Sequence, residues 1–193
     1  MSSLFLAVLL AKPALAAEDW KPTGADNDCV FYRAASEGSL QPMRAVCDWP
    51  LPAESVHQRL AEAGELEEVF STVRESEILE VRSDGSRLTY QWYQALRFFN
   101  REVVLVVHEE DIPDGWRHTW VRAVDQSGLR GKGGPVVAMD NTWEITATPT
   151  GCRLVFELRY DIGGNVPETL VSWFQGAGIQ LQLSELRASI DEG

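Results

Sequence analysis

The chain lacks a hydrophobic run long enough to cross a membrane, and it lacks an excess of basic residues. In its 193 residues, no apolar run reaches the ~20 residues that span a bilayer. The 17 basic residues are outnumbered by 29 acidic ones, which gives a formal net charge of −12. Nucleic acids and anionic membrane surfaces bind basic faces, so this balance argues against either as the main partner. The composition is typical of an acidic globular domain.

Motifs for catalysis and metal binding are also scarce. The three histidines, His57, His108 and His118, do not have the spacing of a zinc site, and no Gly-x-Ser-x-Gly nucleophile motif is present. The glycine-rich segment 128–134 precedes an apolar strand rather than a helix, which favours a plain turn over a phosphate-binding loop. The sequence therefore predicts no cofactor, no bound metal and no catalytic residues.

The N-terminus has the features of an export signal. Residues 4–11 are apolar, and Ala14-Leu15-Ala16 offers a small-x-small cleavage pattern. The alternative is a buried N-terminal helix. We divide the chain into a signal peptide (1–16), an N-terminal extension (17–27) and one folded domain (28–190). This division predicts a periplasmic or secreted protein.

The rarity of cysteine makes its placement informative. Cys29 and Cys47 flank a predicted hairpin turn centred on Gly38, and in such a hairpin they are direct cross-strand partners. Partners of this kind lie about 4.5–5.5 Å apart at Cα, within the range of a disulfide. Pro42 could instead introduce a bulge that shifts the register by one residue. We predict a Cys29–Cys47 disulfide, with two reduced cysteines as the alternative, and a buried free thiol at Cys152.

Alternation of apolar and polar residues with a period of two dominates the remaining chain. It predicts strands at 28–35, 40–48, 74–82, 86–95, 101–110, 115–126, 135–148 and 152–161. Helices are predicted from about Pro50 to Gly64 and from about 166 to 190, with a short helical piece at 65–70. Short turns between consecutive strands make the sheet antiparallel. The fold class is therefore α+β, with one curved antiparallel sheet and a long C-terminal helix.

Such a sheet has a physical consequence for the space beneath the helix. A twisted sheet cannot contact a straight helix along its whole length, so a gap remains unless side chains fill it. A packed core explains the same apolar pattern equally well. The residues predicted to face this space are Leu88, Tyr90, Trp92, Trp116, His118, Trp120, Trp143, Ile145, Leu154, Phe156, Leu158 and Tyr160 on strands, and Leu170, Phe174, Ala177 and Leu181 on the helix.

Three short segments resemble the START lipid-transfer domain. They are Phe99-Asn100-Arg101-Glu102 before an apolar strand, Trp143-Glu144-Ile145, and residues 160–167 before the last helix, which include Gly163, Gly164 and Pro167. The resemblance covers residues 28–190, although Asn100 stands where that family usually has an acid or Ser. It implies a helix-grip fold enclosing a hydrophobic tunnel for one lipid, sterol or other apolar molecule.

The resemblance also sets functional expectations. It implies a non-enzymatic ligand-binding protein, expected to be a monomer that contacts membranes transiently. Two alternatives stay open: an interaction module with a filled core, and an enzyme of the wider superfamily, such as a cyclase or hydrolase, that uses His118 or Tyr90.

Two local roles complete the predictions. Arg101 and Glu102 fall on opposite faces of a strand, and we predict that Arg101 satisfies carbonyls or a carboxylate at the end of the sheet. The C-terminal helix and the loop at 125–134 are predicted to gate the tunnel, with Gly163-Gly164 as the hinge. The alternative is that these glycines only form a tight turn.

Overall fold

The computed structural model describes residues 19–35, 42–62, 64–95, 99–161, 163 and 176–191. The predicted signal peptide, the predicted turn around Gly38 and residues 164–175 of the predicted C-terminal helix lie outside the described residues.

The described chain forms one sheet and two helices. The strands are β1 (Lys21–Asp26), β2 (Cys29–Arg33), β3 (Met43–Trp49), β4 (Val73–Val81), β5 (Arg87–Ala95), β6 (Phe99–Ile112), β7 (Gly115–Arg122), β8 (Gly134–Pro135), β9 (Ala138–Thr148) and β10 (Gly151–Asp161). The helices are α1 (Ala53–Ala61) and α2 (Ala177–Asp191). The sheet order is β1-β2-β3-β10-β9-β7-β6-β5-β4, and β8 pairs in parallel with β6.

Both helices pack against the same face of this sheet, which we call the inner face. Helix α1 contacts β7, β9 and β10 as well as α2, and it buries Val56 and Leu60. Helix α2 buries Ile179, Leu183 and Leu186 in the same hydrophobic core. Among the described residues, no helix combines the length and apolar character that a bilayer span requires.

The α+β helix-grip prediction is confirmed, with local differences. β1 is a strand that falls in the predicted N-terminal extension, and its six residues are all exposed, so they carry no alternating burial signal. β7 ends at Arg122 rather than at residue 126, and the predicted short helix at 65–70 is a series of turns. These turns still bury Leu66 and Phe70 in the core.

The predicted disulfide is confirmed. Cys29 and Cys47 are direct partners in the β2–β3 ladder, and their sulfur atoms are bonded. Pro42 therefore does not shift the register of this hairpin. Cys152 is a buried free thiol, and burial raises its pKa.

Candidate functional site

The inner face carries an aromatic surface in the middle of the sheet. In the β7–β9 ladder, Trp116 lies opposite Ile145 and His118 lies opposite Trp143. On the next strand, Phe156 lies opposite Trp143, and the two rings stack with their centroids 3.8 Å apart. Because cross-strand partners point to the same side of a sheet, these side chains form one continuous surface beneath the helices.

All of the predicted ligand-facing residues on β7, β9 and β10 share this face. The register places on it Trp116, His118, Trp120, Trp143, Ile145, Leu154, Phe156, Leu158 and Tyr160. Leu170 and Phe174 lie outside the described residues. On α2, Ala177 is exposed and Leu181 is only half-buried. The prediction that Ala177 faces the sheet is wrong, because the helix turns its Ile179, Leu183 and Leu186 side inward.

The predicted orientation of β5 is also wrong. Thr89 pairs with Leu105, and Gln91 pairs with Val103, which places Thr89 and Gln91 on the inner face. Tyr90, Trp92 and Leu88 therefore point to the opposite, outer face. We predicted the reverse because aromatic side chains usually face a core. The outer face of β5, however, has a cover of its own, and Tyr90 is fully buried beneath it.

That cover is a loop at residues 123–133, here called the outer loop. The Arg130 guanidinium lies over the Tyr90 ring at 4.3 Å, and the Lys132 ammonium lies over the Trp92 ring at 5.1 Å. Both cations form ion pairs with Glu75 on β4. The hydrogen bond from Lys132 is the largest of the effects that lower the pKa of the Glu75 carboxyl. These contacts fasten the outer loop to the face remote from the helices, which disfavours it as the gate of a tunnel on the inner face.

A buried carboxylate holds the outer loop from beneath. Glu102 is 2% exposed and accepts a hydrogen bond from the Tyr90 hydroxyl at 3.2 Å. It also accepts from the backbone N–H of Arg130 at 2.9 Å and of Gly133 at 3.5 Å. Its neighbour Arg101 points the other way, and its guanidinium donates to the carbonyls of Asn100 and Gly163, each at 2.9 Å. Arg101 thus binds two carbonyls at the end of the sheet, and Glu102 holds the outer loop, a contact that the sequence analysis did not specify.

Gly163 occupies a tight turn. Its φ is +66°, a backbone conformation that favours glycine, and an added Cβ would lie 2.4 Å from Cγ2 of Val137. Its N–H donates to the Asp161 side chain at 2.9 Å. These contacts favour the turn over a hinge at this position. Gly164 and Pro167 lie outside the described residues.

Three buried polar residues on the inner face were missed by the sequence analysis. Thr89, Gln91 and Asn141 are each at most 3% exposed. Among the described residues, Oγ1 of Thr89, Nε2 of Gln91 and Oδ1 of Asn141 have no hydrogen-bond partner. Thr89 and Gln91 belong to the alternating pattern of β5. The pattern alone does not show whether these two residues or their neighbours face the helices.

A histidine pair joins α1 to the sheet at one end of the inner face. Nδ1 of His57 lies 3.0 Å from Nε2 of His118, and the His57 ring stacks on Trp116. Glu109 lies 3.7 Å from His57 and 3.8 Å from His118. Burial, with smaller contributions from His57 and Arg87, lowers the pKa of His118 to about 3. The His118 imidazole is therefore neutral and directed at His57.

Sequence reasoning could not find His57 as a partner, because helix packing brings it to His118 from 61 positions away. Within the described ranges, no cluster of three or more His, Cys, Asp or Glu side chains is placed to hold a metal ion.

Two grooves lie beside α2. The larger, of 490 Å³, separates α2 from the β1–β2 turn and is lined by residues that include Trp49, Leu183 and Arg187. The smaller, of 160 Å³, lies next to Gly176 and Ile179. The predicted tunnel under the whole C-terminal helix involves residues 164–175, which lie outside the described residues, so the tunnel stays a prediction.

Comparison with known families agrees with this architecture. Residues 43–191 match the family model described as polyketide cyclase / dehydrase and lipid transport. The chain belongs to this family. A search of curated protein sequences finds no match.

Several solved structures share this fold. The STAR-related lipid transfer protein of Xanthomonas axonopodis is 20% identical with a TM-score of 0.78, covering 89% of this chain and 98% of its own. Human STARD10 is 15% identical with a TM-score of 0.77, over 88% of this chain and 72% of its own. The Zhui aromatase/cyclase of a Streptomyces species is 13% identical with a TM-score of 0.56, over 79% of this chain and 93% of its own. These identities are low, so the likeness shows the shared fold.

Proposed function

We propose that the protein binds a lipid, sterol or other apolar small molecule between the inner face and the C-terminal helix, and that it does so without catalysis. The observation that carries the proposal is the aromatic surface of the inner face. The ring centroids of Trp120 and Trp143 lie 6.1 Å apart there, and the Trp143 ring stacks on Phe156. Large rigid apolar side chains of this kind line most small-molecule sites. The names of the STAR-related neighbours support the same ligand class.

An enzymatic role is the main competitor, because the family also includes an aromatase/cyclase. Of the two residues that the sequence suggested for catalysis, Tyr90 is on the outer face and donates to Glu102. His118 is fully buried, and its Nε2 atom contacts His57. Tyr90 is therefore turned away from a molecule on the inner face, and Nε2 of His118 is occupied by His57, which supports a binding role.

We also propose that the protein acts outside the cytoplasm as a monomer that contacts membranes transiently. The Cys29–Cys47 disulfide supports export, since such bonds persist in oxidising compartments. The proposed signal peptide at 1–16 agrees with that location. An interaction module with a filled core remains the second non-enzymatic candidate.

Native mass spectrometry tests the binding proposal. Protein purified without delipidation should carry one apolar ligand per chain, visible as a mass difference from the denatured protein. Leu158→Trp should reduce occupancy because Leu158 lies on the inner face. Val155→Trp, on the opposite face of the same strand, is the matched control and should leave occupancy unchanged.

Two results would contradict the proposal. An empty protein that also refuses apolar probes would favour a filled core. Turnover of an apolar substrate that is lost in His118→Gln, but retained in the exposed-site variant His108→Gln, would favour an enzyme.

A further inference from the structure

We infer that the ligand carries a hydroxyl group, and that Trp120 and Asn141 bind this hydroxyl in the middle of the inner face. The inference rests on the proposed function and adds the chemical class of the ligand. It depends on two buried polar atoms that have complementary hydrogen-bonding roles and no partner among the described residues.

The two side chains are neighbours across the β7–β9 ladder. Trp120 and Asn141 are direct register partners, so their Cβ atoms lie about 4.5–5.5 Å apart on the same side of the sheet. Each residue is 3% exposed. On either side of the pair, Val107 and Leu158 continue the row with aliphatic side chains. The pair is therefore a small polar position within an apolar surface.

Their chemistry fits a group that both accepts and donates a hydrogen bond. The indole Nε1 of Trp120 is only a donor, and the Oδ1 atom of Asn141 is only an acceptor. Neither has a partner among the described residues. A hydroxyl oxygen accepts one hydrogen bond and donates another, so one hydroxyl between them satisfies both atoms at once. A hydrocarbon would leave both unsatisfied, and unsatisfied buried polar atoms cost free energy.

The surroundings favour a neutral group over an ionised one. The neighbouring arginine on this face of β7, Arg122, donates through Nε to the Val136 carbonyl at 2.8 Å. Arg87 on β5 donates to the Ala61 carbonyl at 2.8 Å and pairs with Glu109. A buried carboxylate or phosphate needs a counter-charge, and the neutral Trp120–Asn141 pair does not supply one. The ligand class is therefore an apolar body with a hydroxyl, such as a long-chain alcohol or a hydroxylated ring system.

The test compares two probes that differ only in the hydroxyl, 1-hexadecanol and hexadecane. Each displaces diphenylhexatriene from the delipidated full-length protein, and fluorescence gives the two affinities. We expect Asn141→Leu to lower the alcohol-to-alkane affinity ratio about tenfold relative to the wild type, because the alcohol loses one buried hydrogen bond. Trp120→Phe keeps an aromatic ring, removes the donor and should lower the ratio similarly.

Thr142→Val is the matched control. Thr142 follows Asn141 on β9 but faces the other side of the sheet, so this variant should keep the wild-type ratio. The melting temperature provides an independent readout. Asn141→Leu should raise it in the unliganded protein, because the variant removes an unsatisfied polar group. A purely structural role for Asn141 predicts a lower melting temperature and weaker binding of both probes.

The outcomes separate this inference from the proposed function. If the wild type binds neither probe, the proposed function fails and the inference fails with it. If the wild type binds both probes, and the ratio is unchanged in Asn141→Leu and in Trp120→Phe, only the hydroxyl site is overturned. Should Asn141→Leu fail to fold, the structural role is supported over the hydroxyl site, and Trp120→Phe gives the deciding ratio.

Discussion

Tyr90 and Gln91 are adjacent on β5 and both are fully buried, yet their polar atoms have opposite environments. On the outer face, the Tyr90 hydroxyl donates to Glu102, which also binds two backbone N–H groups of the outer loop. On the inner face, Nε2 of Gln91 has no partner in the described part of the chain. The Tyr90 hydroxyl is therefore part of a completed structural contact, whereas Nε2 of Gln91 is unsatisfied.

The largest effect should come from removing the carboxylate that anchors the outer loop. Glu102→Leu leaves the Tyr90 hydroxyl and the two N–H groups without their acceptor, and we expect a loss of about 3 kcal/mol in the free energy of unfolding. Glu157→Leu is the control, because Glu157 is partly exposed and pairs with Arg44 near the surface. That variant should lose no more than about 1 kcal/mol. Urea denaturation measures both, and equal losses would contradict a special role for the outer face.

The inner face should show its own effect through pH. Burial lowers the pKa of His118 to about 3, whereas the unfolded chain has an ordinary histidine near pKa 6.5. Below pH 6.5 the unfolded state takes up a proton that the folded state cannot bind, so stability falls as the pH falls. Above pH 6.5 this contribution is constant. We expect a slope that approaches about 1.4 kcal/mol per pH unit towards pH 5.

Two variants identify the source of that slope. His118→Gln should flatten stability between pH 6.5 and pH 5, and His108→Gln, at an exposed position, should not. Denaturant unfolding at several pH values gives the comparison. The same slope in all three proteins would assign the pH dependence to other groups.

The smallest effect tests the two faces of β5 directly. Tyr90→Phe removes a satisfied hydroxyl from the outer face and should cost about 1 kcal/mol. Thr89→Val removes an unsatisfied hydroxyl from the inner face while keeping the side-chain shape. It should leave stability within about 0.5 kcal/mol or raise it. Thermal unfolding without ligand measures the pair, and a larger loss in Thr89→Val would show that the inner hydroxyl is already bonded.

Elements defined by local pattern were predictable from the sequence. Counting outward from Gly38 paired Cys29 with Cys47, because the register of a hairpin follows from its turn. The alternation in β9 and β10 placed Trp143 and Phe156 correctly on the inner face. Both strands lie in the middle of the sheet, and their buried residues alternate with more exposed ones.

Features set by tertiary packing were not predictable. β5 has buried side chains on both faces, so its sequence alone does not show which of them point towards the helices. The outer loop, more than 30 residues further along the chain, covers the face that carries Tyr90. His57 meets His118 only after α1 packs on the sheet. Asn141 alternates with apolar residues on the inner side of β9, and its neighbour Trp120 is known only from the β7–β9 register. That register shows that both side chains have an unsatisfied polar atom.

The two edges of the sheet bear on how the protein behaves at high concentration. At one edge, β1 carries Pro22, which has no N–H to donate, and its ladder is interrupted between Pro22 and Gly24. At the other edge, the β4 ladder is interrupted twice, and the strand carries Glu75, Glu77 and Glu80. Proline, bulges and like charges make an edge a poor template for a strand from another chain. These features of β1 and β4 disfavour edge-to-edge association of the sheet between molecules.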